Sequence, residues 1–133
     1  MSRAFADSNV LLYCFGPEPK AELARATLLR TQVVSVQVLN EFANVARRKL
    51  GMSVQEIRQA EADFLVGVEV MPLTQLVHER ALSIAERYGF SFYDSLIVAA
   101  ALNSACTTLY SEDLPHGQII DSQLQVENPF ARD

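Results

Sequence analysis

Residues 4–13, AFADSNVLLY, change character at Asp7. Upstream, RAFAD (3–7) has the short apolar run of a buried strand. Downstream, SNVLLYCF reads as a turn of helix. An Asp at a strand-to-helix junction is a preferred helix N-cap. It also lies at the carboxyl end of a strand, the edge where open α/β sheets gather their ligands. One carboxylate satisfies either description, so the choice depends on what the rest of the chain brings to that edge.

Working outward, GPEP (16–19) is a loop and KAELARATLLR (20–30) has helical spacing. TQVVSVQ (31–37) is a second β-branched strand candidate. It runs into residues 37–50, where Val38, Leu39, Phe42, Val45 and Ala46 recur at three- and four-residue intervals and predict a helix. Gly51 ends that helix, and Ser53 with Glu56 makes a Ser-x-x-Glu capping box that opens the next. GVEVMPL (67–73) is a third strand stopped by Pro72, and Thr74 opens a helix to about Tyr88. Ser91 precedes a strongly apolar helix (92–105), TTLYS (107–111) is a fourth strand, and QVEN before Pro129 is a candidate short fifth. Strands separated by helices require crossover connections. The predicted class is therefore α/β: one domain over 1–133, in three α/β/α layers around a mainly parallel sheet of four to five strands.

Composition narrows the function. Half of the 133 residues are hydrophobic and a fifth are charged, as in ordinary globular proteins. Asp7 interrupts the N-terminal apolar run, so no signal peptide is expected. The longest apolar run, LIVAAAL (96–102), is far short of the ~20 residues of a membrane span. Cys14 and Cys106 have apolar neighbours and no metal-ligand spacing, and are read as reduced, buried thiols of a cytoplasmic protein. With 16 acids against 11 bases, the net charge of −5 argues against a broad basic face for nucleic acid. It leaves room for a basic partner, or for a cation that reverses the local field.

Four acids fall at matching places. Asp7 ends the first strand, Glu41 lies one helical turn beyond the second, Asp94 lies in the first turn of the helix before the fourth, and Asp113 follows the fourth in YSEDL. Each has an ordinary alternative. Asp7 caps a helix, Ser91-x-x-Asp94 is a capping-box-like pattern favoured by the helix dipole, and Asp113 is a turn acid beside Glu112. Glu41 lies at the border of an apolar stripe, where a free acid gains nothing. Gathered at one edge, several carboxylates repel unless a cation joins them. Oxygen ligands without His or Cys suit Mg²⁺, with Mn²⁺ as a substitute. His78 and His116 are read as solvated.

FADSNVLLY, SVQVLNEFANVARRK, GFSFYDSLIVAAAL, LYSEDLPHGQ and VENPF, in this order and spacing, together resemble PIN-domain proteins, specifically the VapC-type toxins of bacterial toxin–antitoxin pairs. The resemblance implies a PIN-like fold and magnesium-dependent ribonuclease activity. Asp7, Glu41 and Asp94 then match the family's acidic triad and Asp113 its fourth acid, all as catalytic metal ligands. Ser8 stands where Thr is commoner and retains the hydroxyl. Asn9 matches the amide that steadies the first loop, and Ser111 a small polar residue near the fourth acid.

The implied chemistry is attack of a metal-activated water on an RNA phosphodiester. Arg47, Arg48 and Lys49 are candidates to hold the RNA backbone, or else a solvated helix end placed for the dipole. The alternative is a catalytically silent PIN-type interaction module. An aspartyl-phosphate phosphatase is disfavoured because Asn9 occupies its second Asp position and transfers no proton. The implied partner is a cognate antitoxin. The expected dock is a groove between the 37–50 and 53–66 helices, which carry Phe42, Val45, Leu50, Ile57, Phe64 and Leu65. An antitoxin Arg or Lys would pair with the acids and displace the metal. A homodimer is also expected.

Overall fold

The computed structural model describes residues 2–131. Its elements run β1 (Ala4–Ala6), α1 (Ser8–Tyr13), α2 (Lys20–Leu28), β2 (Val33–Ser35), α3 (Val36–Lys49), α4 (Val54–Phe64), β3 (Glu69–Met71), α5 (Gln75–Tyr88), α6 (Phe92–Asn103), β4 (Thr108–Tyr110), β5 (Ile119–Ile120) and β6 (Leu124–Glu127). The strands form one sheet in the order β3-β2-β1-β4-β6-β5, parallel throughout except for β5 against β6. Helices cover both faces, as the three-layer α/β/α expectation required.

The sheet has six strands rather than four to five. QVEN belongs to β6, and the added strand is β5, two residues long. So short a segment carries no alternation to read. Its turn, Asp121–Ser122, has φ of 51° and 56°, the double positive φ of a tight hairpin, without the usual Asn-Gly or Asp-Gly signature. Asp121 is held there by Arg80, Arg87 and the Tyr88 hydroxyl, all from α5.

β1, β2 and β4 are buried, as strands covered on both faces must be, with Phe5 beside Val33 on one side and Leu109 on the other. β6 alternates buried Leu124 and Val126 with exposed Gln125 and Glu127. α6 is buried from Ser95 to Leu102, which accounts for its lack of a polar face. Caps set the other helices: the Ser53–Glu56 capping box forms as expected, Thr74 caps α5, and Gly89 closes α5 at φ 74°. Among the described residues no helix is long and apolar enough to cross a membrane. Both cysteines are free; Cys106 is buried as expected, but Cys14 is only half-buried, because it falls at the C-cap of α1.

The expected groove opens between α3 and α4, about 430 Å³, lined by Leu39, Ala43, Val54 and Ile57 with Arg47, Arg58 and Glu61 beside them. Phe42 and Ile57 join the core, Phe42 meeting the Phe15 and Phe64 rings at centroid distances of 6.1 and 5.4 Å. A second apolar cleft, about 740 Å³, opens where Phe15, Leu28 and Leu29 face Phe64 and Val66. Helix α3 buries Val38, Phe42 and Ala46 and leaves Leu39 and Ala43 lining the cleft toward α4.

β1 lies at the centre of the sheet. From β2 the chain moves outward to β3, then α5 and α6 carry it back across to β4 on the other side of β1. The connection therefore reverses direction between β1 and β4. In doubly wound sheets that switch point opens a crevice at the carboxyl ends of the strands.

Phe5 is fully buried in the central strand. Phe5→Ala should destabilise the fold by about 3–5 kcal/mol, read as a lowered midpoint in urea unfolding.

Candidate active site

The crevice between β1 and β4 is where the acids gather. Asp7 follows Ala6 directly, and its backbone N–H continues the sheet by donating to the Tyr110 carbonyl at 2.9 Å. The side chain caps α1 through the Ser8 N–H, 2.7 Å from Oδ1, while Oδ2 accepts from the Ser111 hydroxyl at 2.8 Å. Asp7 is thus both a cap and a member of the group. It is 2% exposed. Burial pushes its carboxyl up to about 7 against the pull of Ser111 and Ser8, and the charges of Glu41 and Asp113 push the same way.

Ser8 links two acids. Its Oγ lies 3.0 Å from Glu41 Oε1 and 3.4 Å from Asp7 Oδ1. The other oxygen of Glu41 accepts from Gln37 Nε2 at 3.1 Å, one helical turn back on α3. Asp113 accepts from Asn9 Nδ2 at 3.2 Å, and its N–H donates to Ser111 Oγ at 3.1 Å. Asn9 therefore fastens the loop after β4 to the start of α1, a wider role than steadying its own loop. Asp94, in the first turn of α6, donates its backbone N–H to Ser91 Oγ at 3.2 Å. Burial raises its carboxyl, Ser91 opposes, and the charge of Asp113 raises it further. Asp113 is thus felt by Asp7 and Asp94 alike, and all four expected acids share one electrostatic neighbourhood.

Glu112 faces away from that neighbourhood. It pairs with Lys20 Nζ at 2.6 Å and accepts from the Tyr13 hydroxyl. Burial alone would raise its carboxyl, but Lys20 and Tyr13 hold it below the ordinary range. Lys20 also lies 3.8 Å from the Tyr13 ring centroid and 5.0 Å from that of Phe130, and the two rings meet edge-on at 4.9 Å. This clasp ties α1, α2, the post-β4 loop and the C-terminal segment together, and it separates the duties of adjacent acids. Glu112 anchors the loop and Asp113 faces the crevice. His116 is exposed and turned from the acids, its Nδ1 accepting the Asn128 N–H at 2.9 Å. His78 is also exposed, with its ring edge-on to Phe92.

Sequence reasoning missed Gln37 and the clasp. Gln37 had a signal, its i−4 spacing from Glu41. The clasp had none, because Tyr13, Lys20, Glu112 and Phe130 are brought together only by the fold.

The donor set suits a hard divalent cation: clustered carboxylate oxygens, one deeply buried, with none of the four in an ion pair among the described residues. Among the described residues no three His, Cys, Asp or Glu close to ligand spacing. Asp7, Glu41 and Asp113 take donors from the chain.

A model of the PIN domain matches residues 4–116. No curated protein sequence matches the chain. Among solved structures, a toxin–antitoxin complex from Klebsiella pneumoniae superposes with TM-score 0.73 at 17% identity, covering 96% of this chain and 98% of that one. VapC20 of Mycobacterium tuberculosis, described as a Sarcin-Ricin loop cleaving toxin, superposes at 0.67 with 19% identity over 83% and 89%. DNA-bound VapBC from Salmonella typhimurium superposes at 0.61 with 18% identity over 97% and 99%.

The raised Asp7 carboxyl has a consequence for the metal-free protein. Its folded value, about 7, exceeds the ordinary 3.8, so the protonated form favours folding. That contribution is complete below about 3.8 and lost as pH rises to about 7. Asp7→Asn removes the titration. Its stability relative to the parent chain should therefore grow across this window by up to about 1.4 kcal/mol per pH unit, measured by urea unfolding in EDTA.

Proposed function

The chain belongs to the PIN-domain family, and from that membership we propose that it is a metal-dependent endoribonuclease acting as the toxin of a VapBC-type toxin–antitoxin pair. The observation that carries this reading is the convergence of Asp7, Glu41, Asp94 and Asp113 on the switch-point crevice, with Asp7 deeply buried. The structural likeness to toxin–antitoxin proteins, one of them described as cleaving the Sarcin-Ricin loop, supports it.

Asp7 and Asp94, assisted by Glu41 and Asp113, are the proposed ligands of Mg²⁺, with Mn²⁺ as a substitute. When bound, the ion supplies Lewis acidity toward a water and a scissile phosphate. The chain's own contribution is positioning. Ser111 and the Ser8 N–H fix both oxygens of Asp7, Ser8 and Gln37 fix those of Glu41, and Asn9 fixes Asp113. Such supporting hydrogen bonds orient ligands that repulsion would otherwise scatter.

The proposed partner is a cognate antitoxin, whose amphipathic segment would lay its apolar face in the cleft beside Phe15, Leu29 and Phe64. Leu29 is 88% exposed there, and Val66 81%. A basic antitoxin side chain reaching the acids would compete with the metal. Self-association as a homodimer in the cytoplasm completes the reading.

Purified protein should cleave RNA with Mg²⁺ and stop in EDTA. Asp7→Asn and Asp94→Asn should reduce cleavage to background while remaining folded, and near-parental rates in either would overturn the assignment. Ser111→Ala should cost about 10–100-fold, in line with loss of a ligand's supporting hydrogen bond. No cleavage with either ion would leave the silent interaction module.

Mg²⁺ at ~100 times its dissociation constant should stabilise the fold by about 2.7 kcal/mol, because the dispersed acids of the unfolded chain do not bind it. A melting temperature unmoved by millimolar Mg²⁺ or Mn²⁺ would remove the metal from the reading.

A further inference from the structure

Next to Glu41 a cleft of about 360 Å³ opens between α3 and the start of α6, lined by Gln37, Asn40, Glu41, Asn44 and Tyr93. Positions 37, 40, 41 and 44 share one face of α3, since residues three and four apart on a helix are neighbours. The same face continues into Arg47 and Arg48 in the last turn. Neither arginine enters an ion pair among the described residues. The stripe thus begins at the acid cluster, passes neutral amides and ends in cations. From 37 to 48 it spans roughly 16 Å at the helical rise, enough to follow a few nucleotides of backbone.

The amides are not equivalent. Gln37 is buried and committed to Glu41 at 3.1 Å. Asn40 and Asn44 are exposed. Each presents a donor and an acceptor side by side, the pattern that pairs with N6 and N7 of adenine. Across the cleft, Tyr93 is 63% exposed and meets Phe92 edge-on at 6.0 Å. A large ring left uncovered above a polar cleft gains nothing from the core. An unpaired base covers it well, because every base has a face to stack. Bases inside a duplex are already stacked and do not reach it.

On the ribonuclease reading above, we propose that this cleft is a subsite for one unpaired RNA base beside the cleavage centre. Tyr93 stacks on the base, Asn40 and Asn44 bond its edge with adenine favoured, and Arg47 and Arg48 hold the backbone beyond. The acid cluster repels phosphate wherever no cation is bound, so the grip on RNA comes from a neutral surface that ends in arginines.

Binding of labelled single-stranded A, U and C oligonucleotides, and of a duplex of equal length, is measured by fluorescence anisotropy in Asp7→Asn protein with Mg²⁺. Cleavage kinetics are measured in chains that retain Asp7. Single strands should bind more tightly than the duplex. Tyr93→Ala should weaken single-strand binding by about 5- to 150-fold, and Tyr93→Phe should stay within about twofold of the parent, because stacking needs the ring and not the hydroxyl. In cleavage, Tyr93→Ala should raise KM more than it lowers kcat, and Asn44→Ala should flatten the preference for A. The Mg²⁺-induced melting shift of both variants should match the parent's, which shows the fold and acid cluster intact.

Cleavage with an unchanged KM in Tyr93→Ala overturns the subsite and leaves the ribonuclease reading in place. Equal affinity for duplex and single strand also overturns it. So does a Tyr93→Ala chain whose sedimentation mass falls, which would assign this face to self-association. If the Asp7→Asn chain binds no RNA and the parent cleaves none, the subsite falls together with the reading it rests on.

Discussion

Burial of a carboxylate at the end of the central strand, among other acids, is the constraint around which the rest of the structure is arranged. Asp7 is almost wholly enclosed, and its surroundings resist its charge strongly enough to push the carboxyl to about 7. The chain answers with local donors: Ser111 and a backbone N–H for Asp7, Ser8 and Gln37 for Glu41, and Asn9 for Asp113. Asp94 lies in the first turn of α6, where the helix dipole favours a negative charge. These devices supply the carboxylates with local donors where no ion pair reaches them among the described residues.

Holding such a group requires stiff supports. Three buried strands of three residues each are too short to be rigid alone, and they gain stiffness from layers on both sides. α6 is the extreme case, buried along most of its length, so Asp94 stands on an element with little freedom to move. The remaining contributor is the loop after β4. There the Glu112–Lys20–Tyr13 clasp fixes one acid outward while Asn9 and Ser111 fix its neighbour inward.

Binding surfaces follow from the same geometry. α3 gives its apolar stripe to the sheet and shows solvent a polar face that runs from Glu41 to Arg48. Apolar surface not used by the core lies in the α3–α4 cleft and beyond α2 and the end of α4, where Leu29 and Val66 stand exposed. A polar track thus lies beside the acids and an apolar cleft on another part of the surface.

The sequence by itself determined the alternation of strands and helices, the caps at Ser53, Thr74 and Ser91, the parallel sheet, and the four acids at strand ends and helix starts. Each of these depends on neighbours within a few residues, through hydrogen-bonding caps, β-branched runs or three-to-four spacing. Only the tertiary structure decided that Glu112 turns to Lys20 while Asp113 turns to Asn9, because those partners are 92 and 104 positions away in the chain. It also decided that β5 exists: its two residues pair with β6, and Arg80, Arg87 and Tyr88 of α5 bond Asp121 in the turn between them. It added a second apolar cleft beside Phe15, Leu29 and Val66 for the same reason: periodicity shows which residues of a helix are apolar, but not which of them the packing leaves uncovered. Local chemistry is written along the chain, whereas side-chain direction and solvent exposure are properties of the packed whole.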